Sequence, residues 1–153
     1  MKTVLSVDRG VTSSAESNDC TVRALANAAD VPYDVAHRVL KKHGRPDRKG
    51  ATFKTLNAAY EECGFRLVSL HGDGKRSRFA ARHVDANAST SSVKWVDGIT
   101  FGKLVESLPP YGEYIINVTG HAVAVVNGKV IDTFHNNARK RVVAVYKRIN
   151  FGE

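Results

Sequence analysis

Two stretches of this sequence carry residue types capable of thiol chemistry. In "SNDCTVRALANA" (17–28), polar, turn-prone residues lead into Cys20, and an alanine-rich apolar segment follows. Asn18 or Asp19 suits the cap of a helix that begins at Cys20. In a first helical turn the backbone N–H groups point outward and the helix dipole favours negative charge. Both effects stabilise thiolate, the nucleophilic form of cysteine. The same N–H groups suit the oxyanion of a tetrahedral intermediate. One location thus offers a nucleophile and part of an oxyanion hole.

The second stretch is "GHAVAVVNGKVIDT" (120–133). Asn127-Gly128 is a strong signal for a two-residue hairpin loop. That loop sets the register: Val126 opposite Lys129, Val125 opposite Val130, Ala124 opposite Ile131, and hence Val123 opposite Asp132. Side chains alternate along a strand, so His121, Val123 and Val125 share one face. Asp132 lies diagonal to His121 on that face, with Cα atoms roughly 7–8 Å apart. A carboxylate so placed can accept a hydrogen bond from one imidazole nitrogen, fixing the tautomer and leaving the other nitrogen as a base. His135, three residues after Asp132, is a lesser alternative base. Cys63 falls at the end of an amphipathic helix, where the dipole disfavours thiolate, and is assigned a structural role.

These residues need elements to hold them. Helix signals dominate the first half. One helix is expected from about Cys20 to Ala29, with Val22, Leu25, Ala26 and Ala29 on one face. A second starts near Pro32 and stops at Gly44, with Val35, Ala36, Val39 and Leu40 as its apolar stripe. A third runs from about Thr52 to Cys63 and ends at Gly64. "FRLVSLH" (65–71) reads as a short strand. The segment 72–98 is rich in Ser, Ala, Gly and Arg and reads as a long loop. Thr100 suits the cap of a short helix through Leu108, ended by Pro109-Pro110. "EYIINVT" (113–119), "HAVAVV" (121–126), "KVIDTF" (129–134) and "RVVAVYKR" (141–148) are β-branched and read as meandering antiparallel strands. Helices first and strands last make an α+β layout with N-terminal helices packed on a C-terminal antiparallel sheet, not a βαβ pattern.

The totals set the frame. A chain of 153 residues suits one domain, 1–153, able to bury a core without staples. Its 42% apolar and 25% charged residues read as globular rather than disordered. No run approaches the ~18 apolar residues of a membrane span. "MKTVLSVDRG" lacks the apolar core of a secretory signal, so a cytoplasmic location is expected. The two cysteines, Cys20 and Cys63, form neither a disulfide framework nor a zinc-ligand pattern, and no cofactor motif is present. The net charge of +8 favours acidic partners, nucleic acid included. The densest basic cluster is Lys75, Arg76, Arg78 and Arg82, in a Gly-rich context that reads first as a solvated loop.

"NDCTVRALANA" resembles the cysteine box of papain-like peptidases, most closely those of ovarian-tumour deubiquitinases and bacteriocin-processing peptidases. "GHAVAVVNGKVIDT" resembles the histidine box of the same superfamily: a histidine opening a strand, a hairpin, then an aspartate. The chain is also similar to small cysteine-peptidase-like proteins of phages and bacteria, which would place a phage-encoded chain in the host cytoplasm. The resemblance covers the helical start and the last third, in the order Cys, His, Asp. It implies a papain-like fold and a thiol hydrolase of peptide or isopeptide bonds. It implies Cys20 as nucleophile, His121 as general base and acid, and Asp132 as its orienter, with a protein or peptide substrate. Papain-like enzymes usually place a glutamine before the cysteine as oxyanion donor, and this chain contains no glutamine. Asn18, or the backbone N–H groups of Asp19 and Cys20, are the substitutes at that place. Ubiquitin-cleaving relatives usually carry an aspartate three positions before the cysteine, where this chain has Ser17. Two alternatives accompany this expectation: acyl transfer to an amine by the same triad, and a basic binding module on the same scaffold.

Overall fold

A computed structural model describes residues 3–5, 19–47, 51–70, 99–132 and 138–149. The elements are β1 (Thr3–Leu5), α1 (Cys20–Ala29), α2 (Tyr33–Lys42), α3 (Phe53–Glu62), β2 (Phe65–Leu70), α4 (Phe101–Ser107), β3 (Glu113–Val118), β4 (His121–Val126), β5 (Lys129–Asp132) and β6 (Val142–Arg148). The architecture is α+β. The strands form one sheet in the order β1-β5-β4-β3-β6-β2. Every pairing is antiparallel except that of β1, which lies parallel on β5.

The sheet is buried on both faces. Along β3, Ile115 belongs to one core, while Tyr114, Ile116 and Val118 belong to the other. The first core joins Ile115, Ala122, Ala124, Ala144 and Tyr146 to Val22, Leu25, Leu40, Leu56 and Tyr60 of α1, α2 and α3. The second gathers Phe101 and Leu104 of α4, with Leu108 at its C-cap, against Ile116, Val123, Val125, Val130 and Val145. Small residues set the spacing in the first core. Ala122 and Ala124 on β4 meet an α1 that is itself rich in buried alanine, so helix and strand approach closely.

The sequence predicts one apolar face for α1. Instead Val22, Ala24, Leu25, Ala26, Ala28 and Ala29 are all buried, because the helix is covered by the sheet and also by α2. The strand over 3–5 was not expected from the sequence, and the sheet is not a plain meander. β3, β4 and β5 follow one another, but β6 crosses back to lie between β3 and β2. The sheet is therefore mixed, with five antiparallel strands and one parallel edge strand rather than a wholly antiparallel set.

Local signals act as read. Asn127 (φ 50°) and Gly128 (φ 78°) both have positive φ, the conformation a two-residue hairpin turn demands. The resulting register pairs Val126 with Lys129, Val125 with Val130 and Ala124 with Ile131. Thr52 caps α3 by accepting from the Thr55 N–H at 3.3 Å, and Thr100 caps α4 by accepting from the Lys103 N–H at 3.4 Å. Among the described residues no helix is long and apolar enough to cross a membrane.

Candidate active site

Cys20 is the first residue of α1, with Asp19 at the N-cap. Asp19 fills the cap position without capping: its side chain makes no hydrogen bond to the helix start. Its carboxylate turns inward, accepting from Arg23 Nε at 2.9 Å and from the Tyr33 hydroxyl at 2.7 Å. The Arg23 guanidinium also lies 5.8 Å from the centre of the Tyr33 ring. Asp19 is buried, and the adjacent cation offsets the charge it places beside Cys20. The first N–H groups of α1, among them that of Cys20, have no partner within the helix and are directed at whatever lies before it.

His121 opens β4 directly after the Thr119-Gly120 turn. Its Nε2–H donates to Asp132 Oδ2 at 2.6 Å, as the diagonal register predicts. The Cys20 side chain lies close enough to the same ring to act on its charge. With Nε2 engaged by Asp132, Nδ1 is the ring nitrogen that Asp132 leaves over. Burial on its own would lower the His121 pKa. The hydrogen bond to Asp132 and then the proximity of Cys20, with the charges of both, outweigh it and hold the pKa at about 9. At neutral pH the ring is therefore a cation, placed beside the Cys20 side chain.

The three residues meet at the end of the sheet rather than across one face. By alternation His121 belongs with Val123 and Val125 over the second core, whereas Cys20 packs against the first. Between them lies a groove of about 400 Å³. It is lined by consecutive strand residues, Asn117 with Val118, His121 with Ala122, and Val143 with Ala144, so it runs over the strand ends. Its opposite wall is built from the starts of α1 (Cys20, Thr21) and α3 (Thr52, Phe53). Two helix N-termini thus border one groove whose remaining lining is mostly apolar.

Cys63 caps the C-terminus of α3 and is half-buried; burial, then the neighbouring Glu62 carboxylate, push its thiol pKa up. The two cysteines therefore sit in opposite electrostatic settings. Asn18, His135 and the basic cluster Lys75, Arg76, Arg78 and Arg82 lie outside the described residues, as does the segment 72–98. Sequence reasoning missed Tyr33 as the hydroxyl that holds Asp19, and Asn117 as a groove residue. Arg23 was legible as a partner, standing four residues after Asp19 on a helix. Asn117 is a lone amide inside the apolar stretch 114–118, which does not by itself mark a groove.

No family model matches this chain, and no curated protein or solved structure matches it either.

Proposed function

We propose that this chain is a thiol hydrolase, papain-like in architecture, that cleaves a peptide or isopeptide bond through an acyl-enzyme on Cys20. One observation carries the reading: His121, bonded to Asp132, lines the same groove as Cys20 and feels its side chain, in a groove large enough for a peptide segment. The order Cys, His, Asp, with α1 to α3 ahead of the strands β3 to β6, supports the same architecture.

The chemistry follows from the geometry. Cys20 sulfur, as thiolate, adds to the substrate carbonyl carbon, and the π electrons move to oxygen. The tetrahedral intermediate collapses with loss of the amine, which takes the proton held by His121. Water then attacks the thioester, His121 accepts its proton, and the thiolate is released with the carboxylic acid. Asp132 keeps the ring oriented and stabilises its cation throughout. Phe53, Leu56, Val118 and Val143 along the groove favour an apolar residue beside the scissile bond.

The test is competitive alkylation with iodoacetamide at pH 7, read by peptide mass spectrometry, together with cleavage of a peptide library. Cys20 is expected to react at least about tenfold faster than Cys63, because thiolate rather than thiol is the nucleophile. Cys20→Ala is expected to abolish cleavage. Equal reactivity of the two cysteines, or full activity in Cys20→Ala, refutes the proposal. An added amine in the same assay separates hydrolysis from acyl transfer by the product formed.

A further inference from the structure

A carbonyl attacked by Cys20 develops an oxyanion, and a single backbone N–H at the start of α1 is half of what such an oxygen ordinarily receives. The glutamine that could donate the second hydrogen bond is absent from the chain. β3 carries a different amide into the same groove. Asn117 shares its face with Ile115, the face turned toward α1, where Cys20 packs. Its neighbours on the adjacent strands are Ala122 on β4 and Ala144 on β6. Two alanines flanking one asparagine leave its side chain space that larger residues would fill.

Asn117 Oδ1 is buried and has no hydrogen-bond partner. An amide oxygen left in that state costs about 1–3 kcal/mol, so the side chain is not placed there for the stability of the fold. The oxygen is the buried end, which leaves the amide nitrogen, the donor, toward the groove. We infer that Asn117 is the side-chain oxyanion donor of this site, its amide N–H completing the hole begun by the Cys20 backbone N–H. This inference rests on the thiol-hydrolase reading. Its logic concerns the nitrogen alone: the oxyanion, itself an acceptor, takes a hydrogen bond from Nδ2 and leaves Oδ1 as it stands.

The test separates oxyanion stabilisation from activation of the thiol. p-Nitrophenyl acetate acylates a thiolate through a tetrahedral oxyanion, whereas iodoacetamide alkylates it by direct displacement with no oxyanion. In Asn117→Ala the burst rate of p-nitrophenolate release is expected to fall about 100-fold, while alkylation of Cys20 by iodoacetamide stays within about twofold. Asn117→Leu, of similar volume and without a donor, is expected to show the same selective loss and serves if the alanine variant does not fold. An unchanged burst rate overturns the inference. A parallel fall in both rates also overturns it, since Asn117 would then act on the thiol or the fold. The same holds if Thr21→Val, which removes an unpartnered hydroxyl from the groove, shows the selective loss in its place. If the unaltered protein gives no burst and Cys20 alkylates no faster than Cys63, the thiol-hydrolase reading itself has failed, a result distinct from all of these.

Discussion

A histidine held between a carboxylate and a thiol is tuned by both, and the direction of that tuning can be measured. His121 stays protonated to about pH 9 because the Asp132 and Cys20 contacts outweigh the burial that would discharge it. Replacing the carboxylate by a neutral amide in Asp132→Asn removes the stronger of the two favourable contacts. The ring pKa, followed by NMR titration of the imidazole protons, is expected to drop by about one unit or more. An unmoved titration would mean that Asp132 only positions the ring. The parts of this trio were legible in the sequence for different reasons. Cys20 stood out because turn-prone residues precede an apolar helical run. His121 and Asp132 stood out because an Asn-Gly turn fixes register without tertiary information. Asn117 did not, since a lone asparagine near a strand end looks the same whether or not a groove lies over it.

At the level of elements, the boundaries followed from capping and punctuation. Thr52, Thr100, Gly44 and the Asn127-Gly128 pair act where local chemistry says they should. What local chemistry does not encode is which strand lies beside which. The insertion of β6 between β3 and β2, and the docking of β1 on β5, are decided by packing between distant segments. The three-residue β1 is too short for periodicity to register. Asp19 illustrates the same limit, because its type predicts a cap and its tertiary partners claim it. That claim is testable. Tyr33→Phe removes one of the donors to a buried carboxylate while keeping the ring, and is expected to cost about 1–3 kcal/mol in urea unfolding. The alkylation rate of Cys20 is expected to be nearly unchanged. A loss below about 0.5 kcal/mol would show that the Asp19–Arg23 pair suffices alone.

The whole molecule is a sheet clamped between two cores, and its stability carries a dependence on pH. Tyr60 and Tyr146 meet edge to face at 4.9 Å between ring centres, both buried, and neither hydroxyl has a hydrogen-bond partner. Burial pushes both phenol pKa values above 10.0. Above about pH 10 an unfolded chain gives up these protons while the folded one retains them, so stability falls from there upward. His121 adds to the same trend. Its folded pKa is raised, so the stability it contributes is complete below about pH 6.5 and is lost as the pH climbs through about 9. Tyr60→Phe deletes a buried hydroxyl that lacks a partner and is expected to hold or raise the thermal midpoint at pH 7. It is also expected to soften the decline above pH 10. A drop of more than about 1 kcal/mol in that variant would show that an internal water satisfies the hydroxyl.

β6 is the strand that joins β2 to the β3–β4–β5 ribbon, and its residues Val143 and Ala144 form part of the groove wall. Contacts between segments more than a hundred residues apart are made late, because loop closure must be met before they reward it. A growing chain exposes its cysteine early and its histidine much later, and the cleft that would hold a substrate closes last. For the hydrolase proposed above, the topology would act as a timer, withholding His121 from Cys20 while the unfolded chain itself is the nearest peptide.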